Sequence, residues 1–369
     1  MEERYHGVDL HSTNFLVNTI VKKNDGSVER NFKKVYLDEI KTKFISHLTK
    51  SDYVCLEAST GSFTFAKLLK PHVKDVFVIN PFDFKALYLS GRKTDKIDAK
   101  KLANKLKYHI EANDPEDGFP SVFIPDDKVT ELRGLFSTYE LYKKQKNALK
   151  NRVHSIIKQN LIHYDSVTLF THFDTIMPTL KLNERDKKTI LLLYEDILHF
   201  EARQEQIKEE ILSTGYQRFA NEIKLIIGIP GISVFIACAI LADIGCIQRF
   251  KNSKKFCSYL RSAPKIDASN EKIKNGSINK KGRKLSFSFV LQGLIHIIKT
   301  NPNFKEFQSK NIVGKNKCKV RSALIRKTFE MLFYMLKNKT EYKYIDNVLH
   351  KKKIMELEKF LQKKIGNAA

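Results

Sequence analysis

The first third of the chain alternates short apolar runs with polar turns, and the rest carries apolar residues at helical spacing. "YHGVDLHSTNFLVNTIVKK" at 5–23 reads as two β-runs, and the turn "NDGS" at 24–27 leads into a third. "VYLDEIKTKFISHL" predicts a helix with Val35, Leu37, Ile40, Phe44, Ile45 and Leu48 on one face. "DYVCLEAS" is a buried strand, "TGSFTFAKLLK" opens a helix, and "VKDVFVIN" is another strand. "PFDFKALYLS" and "TDKIDAKKLANKLK" follow as helices, which makes a mixed sheet covered by helices. The turn formers of "EANDPEDGFP" at 111–120 mark a domain edge, so the first domain is placed at 1–125.

Beyond it, Asp126 or Asp127 caps a long helix to about Leu161, with a stripe through Val129, Leu132, Phe136, Tyr139, Tyr142, Leu149, Val153 and Ile156. A second long helix is expected from about Asn183 to Leu212. The pair predicts a helical hairpin or coiled coil over 126–215. From 216 to 369 the pattern is all-helical, except that "SNEKIKNGSINKKGRK" reads as a basic loop and the closing "HKKKIMELEKFLQKKIG" as a short surface helix or frayed tail. The uncharged run Leu225–Ala242 approaches the ~18-residue lower limit of a membrane span. Gly228, Pro230 and Gly231 break it, and a buried helical hairpin is expected in place of a span.

Composition narrows the class. Apolar residues make up 42% of the 369, enough for real cores, which excludes a disordered basic tail. Lys and Arg number 66 against 41 Asp and Glu, and a net charge of +25 points to a polyanion as partner, nucleic acid being the usual one. Five dispersed cysteines without a CxxC pair read as reduced thiols in a cytosolic protein, and "MEERYHGVDL" has no signal-peptide core.

Against this basic background a few acids stand out. Asp9 lies within the strand run "GVDLH", and Glu57 ends the run "VCLE". Asp95 and Asp98 occupy the first turns of a helix that Thr94 can cap, three apart and so on one side. Asp at a helix start gains ~0.3–1 kcal/mol from the dipole, so each acid alone is readily structural. Together they can converge at one sheet edge, where four carboxylates repel unless they hold divalent cations. Two such ions about 4 Å apart suit phosphodiester chemistry.

"GVDLH", "LEASTGSF" and "RKTDKIDAKKLA", in that order, resemble the DEDD transposases of bacterial insertion sequences. The resemblance continues through "PDDKVTELRGL", "IPGISVFIACAILADIGCIQRFKNSKKFCSYLRSAPK", "GSINKKGRK" and "NPNFKEF". It implies an α/β RuvC-like domain of RNase H fold, a long-helix segment and a helical C-terminal domain with a helix-hairpin-helix-like unit. It implies a recombinase acting on donor and target DNA, with several relatives guided by a structured bridge RNA, and assembly as a homodimer or homotetramer. Asp9, Glu57, Asp95 and Asp98 then carry the acidic tetrad that holds Mg²⁺, with Mn²⁺ as the alternative. The family's serine nucleophile falls on Ser269, with Ser262 and Ser277 as rivals. A bacterial cytoplasmic, nucleoid-associated protein follows, with no membrane partner.

Gly228 and Gly231 in "GIPGIS" are candidate phosphate contacts through backbone N–H groups. Arg249, Lys254, Lys280, Lys281, Arg283 and Lys284 are candidate backbone contacts for nucleic acid, and aromatics do not interleave with them as a stacking platform would require. Two other functions compete: a RuvC-like junction endonuclease that uses water in place of serine, and a non-catalytic nucleic-acid-binding protein.

Overall fold

Alternation in the first 125 residues builds a six-stranded sheet. The computed structural model describes residues 2–23, 25–86, 94–114, 119–269, 272–279, 281–314 and 316–366. These fall into two units, Met1–Pro125 and Asp126–Ala369. In the first, strands β1 (Glu3–Leu10), β2 (Asn14–Lys22) and β3 (Val28–Tyr36) form an antiparallel meander. β4 (Asp52–Glu57) joins β1 in parallel, β5 (Asp75–Ile79) joins β4 in parallel, and the short β6 (Ser121–Val122) closes the edge, giving the order β3-β2-β1-β4-β5-β6. The helices are α1 (Ile40–Lys43), α2 (Ser62–Leu69), α3 (Pro81–Ala86) and α4 (Asp95–Ala112).

Strand alternation sends side chains to two separate cores. Val8, Phe15, Val17, Val54 and Leu56 pack with Phe65 and Leu69 of α2 on one face. Tyr5, Ile20, Tyr53 and Cys55 pack with Leu102, Ala103 and Leu106 of α4 on the other. The expected helix over 35–48 is corrected: Val35 belongs to β3, and two 3-10 turns flank the four-residue α1. Its apolar residues bury equally well as a strand end followed by tight turns, with Val35, Ile40 and Phe44 inside.

A buried ion pair ties the starts of β1 and β4. The fully buried Asp52 carboxylate accepts from Arg4 Nε at 2.7 Å and Nη2 at 2.9 Å, and from the Thr49 N–H at 2.8 Å. Burial works to raise its pKa, but His6, the Thr49 N–H and Arg4 outweigh that, and the net shift is downward. A lowered folded pKa means stabilisation that is complete above the unfolded value and lost as pH falls through the folded one. Asp52→Asn is therefore expected to cost about 2–4 kcal/mol at pH 7, the partly exposed Arg4 softening the usual penalty for a broken buried pair. Urea midpoints of wild type and variant should converge below pH 4; a constant gap would refute the account.

The second unit is helical. α5 (Asp127–Gln159) and α7 (Glu184–Ile226) run antiparallel, with Glu131 facing Thr214 and Lys150 facing Glu201, and α6 (Phe173–Ile176) lies in the connection. Asp126 caps α5 through the Val129 N–H at 2.8 Å. α7 extends well past the expected end at Leu212, bending at Phe219, where φ and ψ leave the helical region. α8 (Val234–Ile244), α9 (Ser253–Tyr259), α10 (Leu285–Thr300), α11 (Pro302–Ile312), α12 (Lys317–Asn338) and α13 (Asn347–Gly366) complete it. No helix among the described residues is long and apolar enough to cross a membrane.

Two expectations change here. The basic segment after Pro264 is a β-hairpin, β7 (Pro264–Ser269) with β8 (Lys272–Ile278), where a loop was expected. Its lysine-rich composition hides the alternation. The closing segment is a full helix, α13, anchored by Lys353, whose ammonium donates to the carbonyls of Ile227, Ile229 and Ile232 at 2.8, 3.3 and 2.8 Å. Burial lowers the Lys353 pKa accordingly.

Candidate active site

Three elements of the sheet domain meet at the C-terminal ends of β1 and β4. The parallel register pairs Gly7 with Cys55 and Val8 with Leu56, so Asp9 and Glu57 follow side by side. Tyr5, Gly7 and Asp9 share a face of β1, and Tyr53, Cys55 and Glu57 share the same face of β4. Tyr5, Tyr53 and Cys55 contribute to the core beneath α4, so both carboxylates face the α4 side. Cys55 agrees: burial first, and then the negative charge of Glu57, push its thiol pKa upward.

Helix α4 supplies the other two acids. Thr94 caps it, accepting from the Ile97 N–H at 3.3 Å. Ala99, Leu102, Ala103 and Leu106 are its buried stripe, and stepping back four residues from Ala99 and Leu102 gives Asp95 and Asp98. The acids thus prolong the sheet-facing stripe past the point where apolar packing ends. What sets the depth of α4 is Gly7: a Cβ there would lie 2.2 Å from the Ala99 carbonyl oxygen and 2.3 Å from the Ala103 nitrogen. Only glycine permits this approach.

The approach brings Asp9 and Asp95 to a common neighbour that sequence reasoning passed over. His11 Nε2 lies 3.4 Å from Asp9 Oδ2 and 3.3 Å from Asp95 Oδ2. Among the described residues, the ligand atoms of Asp9, His11 and Asp95 all fall within 4.8 Å of one another. The four-carboxylate convergence expected from the sequence is met only in part: among the described residues, Glu57 and Asp98 are not members of this group. His11 sits just beyond β1 in the turn to β2, its N–H donating to the Asn14 carbonyl at 2.9 Å. The spacing "DLH" was the available signal, since alternate residues at a strand end share a face.

Two carboxylates and an imidazole whose ligand atoms lie within 4.8 Å of one another, roughly one coordination diameter, can hold a divalent cation. Oxygen donors suit Mg²⁺ or Mn²⁺, and a nitrogen donor favours Mn²⁺, the transition ion of the pair. The Asp9 and Asp95 side chains are 23% and 66% exposed, leaving the group open to a substrate from solvent.

The remaining candidates lie in the helical unit. Ser269 ends β7, paired with Lys272 across the hairpin. Ser262 is buried with its hydroxyl donated to the Cys257 carbonyl at 2.9 Å, and Ser277 lies in β8. Gly228 is buried, and Gly231, at φ +92°, packs so closely on α10 that a Cβ would lie 2.4 Å from the Gly293 carbonyl oxygen. Packing against backbone and a positive φ account for the glycine at 231. The Arg249 guanidinium is sandwiched 4.1 Å from the rings of Phe250 and Tyr259, with Nε donating to the Ile244 carbonyl at 2.9 Å. Lys254, Lys281 and Lys284 are exposed and Arg283 is half-buried, whereas Lys280 lies outside the described residues.

Residues 6–162 match the transposase family of IS110 DEDD type, and residues 223–309 match the transposase IS116/IS110/IS902 family. No curated protein matches the chain. The first match contains all four acids and His11, and the second contains the β7–β8 hairpin. The chain belongs to the DEDD transposases of insertion sequences, DNA-binding enzymes whose fold implies a divalent metal.

Proposed function

We propose that Asp9, Glu57, Asp95 and Asp98 form the strand-cutting centre of this transposase, that His11 is a further ligand, and that Ser269 is the nucleophile. The observation that supports this reading is the meeting of Asp9, His11 and Asp95 at one point of the sheet edge, although α4 begins far along the chain from β1. A bound Mg²⁺ or Mn²⁺ would supply Lewis acidity at a phosphate oxygen. The carboxylates' own work is to hold that cation and to take protons from the attacking hydroxyl. Ser269 Oγ then forms a bond to phosphorus while the bond to one strand's sugar oxygen breaks, and that oxygen leaves as a hydroxyl. Attack on the phosphoserine by a hydroxyl of another strand restores the serine and completes the exchange. A serine hydroxyl is a weak nucleophile until its proton is removed, so the reading requires Ser269 and the acids to act together.

The guide and the multimer complete the proposal. Exposed Lys254, Lys281 and Lys284, with Arg283, suit phosphate backbones, and the specificity would come from an element-encoded RNA paired to donor and target DNA. The assembly would be a homodimer or homotetramer.

End-labelled element DNA incubated with the protein and Mg²⁺ tests the serine. A denaturing gel is expected to hold a covalent protein–DNA adduct that disappears in Ser269→Ala. Cleavage without any adduct would return the chain to the water-using nuclease reading, and an adduct that survives the substitution would move the nucleophile elsewhere. Sequencing of RNA that copurifies with the protein is expected to return one structured species from the element's flank; random cellular RNA would remove guidance.

A further inference from the structure

The outermost strand of the sheet carries an exposed feature on the same face as the carboxylates. Val28, Arg30, Phe32, Lys34 and Tyr36 alternate along β3 and so share one side. Arg30 identifies that side: its guanidinium donates to Asn18 Oδ1 at 2.5 Å and to Asn104 Oδ1 of α4 at 2.7 Å. β3 is the sheet's edge strand, and Phe32 and Tyr36 remain 41% and 50% exposed. Lys34 stands between them, its ammonium 5.5 Å from the centre of the Tyr36 ring. The opposite side of β3 is occupied, with Val35 buried and Lys33 donating to the Lys43 carbonyl at 2.7 Å.

The strand register ties this row to the acidic group. Lys34 pairs with Leu16, and Leu16 pairs with Asp9. Two strand spacings of ~4.8 Å place Lys34 roughly 10 Å from Asp9. Tyr36 pairs with Asn14, whose carbonyl accepts the His11 N–H. Rings four residues apart in an extended strand are roughly 13 Å apart, with a cation between them.

We propose that Phe32, Lys34 and Tyr36 form a stacking platform for an unpaired DNA strand running into the carboxylate centre. The rings take base faces and Lys34 takes a phosphate, the pairing of surfaces by which single strands are held without sequence preference. Three features select this occupant: flat apolar rings alternating with a cation, a chain of net charge +25, and continuity with a DNA-cutting edge. Duplex DNA keeps its base faces stacked and has nothing to offer the rings. The inference rests on reading the acids as the strand-cutting centre.

The chain contains no tryptophan, so Phe32→Trp installs a sole indole on the platform. Titration of the full-length variant with a 20-nucleotide oligodeoxythymidine is expected to quench its emission by half or more, whereas duplex DNA leaves it unchanged. Adding Tyr36→Ala is expected to weaken the single-strand affinity read by this signal by roughly tenfold. Urea midpoints should match wild type, because both rings are exposed. Unchanged emission while anisotropy of a labelled oligonucleotide reaches saturation would overturn the platform. Equal quenching by duplex, or quenching by oligouridine alone, would overturn its assignment to unpaired DNA. Asp9→Ala in the same background reads the centre separately: it is expected to abolish cutting and leave the quenching intact.

Discussion

Asp9→Ala is expected to lower strand cleavage by at least about a thousandfold while leaving the fold intact. A thousandfold is about 4 kcal/mol of transition-state stabilisation, a reasonable share for a carboxylate in the proposed role of holding a cation at a fixed distance from the scissile phosphate. The fold should tolerate the change because Asp9 stands at the end of β1, and its loss relieves like-charge repulsion within the acidic group. Two measurements separate this from a trivial effect. Urea midpoints should match or slightly exceed wild type, and isothermal titration with Mn²⁺ should lose the binding heat expected of the wild-type protein. His11→Ala offers a finer contrast: Mn²⁺ affinity should fall several-fold more than Mg²⁺ affinity, because only the former gains appreciably from an imidazole. Equal losses for both ions would make His11 a hydrogen-bonding neighbour of the carboxylates. Undiminished cleavage in Asp9→Ala would remove the whole assignment of the centre.

How much of this the chain discloses depends on how local each determinant is. β1 and β2 follow from alternation, β4 from a compact apolar run buried on both faces, and the start of α4 from Thr94 and the acids behind it. Asp9 and Asp95 are legible because a carboxylate beside strand apolars, and a pair at a capped helix start, are each unusual in so basic a chain. His11 was missed because a histidine in a turn carries no charge pattern of its own; its role depends on α4 arriving from elsewhere. The platform on β3 was missed for a related reason. "VERNFKKVY" interleaves rings and cations, but its last residues were absorbed into an expected helix whose apolar spacing was equally good. The β7–β8 hairpin was hidden by its lysines, and the length of α7 by the assumption that an amphipathic stripe ends where its clearest leucines and isoleucines end.

The contact that assembles the centre is tested at Gly7. Gly7→Ala adds one carbon, and that carbon would meet backbone atoms of α4 at 2.2 and 2.3 Å and Leu102 Cβ at 2.9 Å. Rotamer changes cannot relieve a clash with backbone, so the helix must lift from the sheet by about an ångström or the strand must bow. Overpacking of this kind costs about 1–3 kcal/mol, and this geometry belongs at the upper end. The functional loss should exceed what stability alone explains. Asp95 rides on the first turn of α4, whereas Asp9 rides on β1, so lifting one against the other opens the Asp9–His11–Asp95 group. A misplacement of 1 Å can cost about a hundredfold in rate. The expected outcome is a protein still folded at 20 °C, with a lowered urea midpoint, Mn²⁺ binding weakened at least tenfold, and cleavage reduced by about two orders of magnitude. Asp52→Asn provides the control, since it lowers stability by a similar amount from the far ends of β1 and β4. If both variants lose cleavage in proportion to their lost stability, Gly7 serves packing alone. If Gly7→Ala loses metal binding and Asp52→Asn keeps it, the close approach of α4 to β1 is what holds the two halves of the centre at working distance.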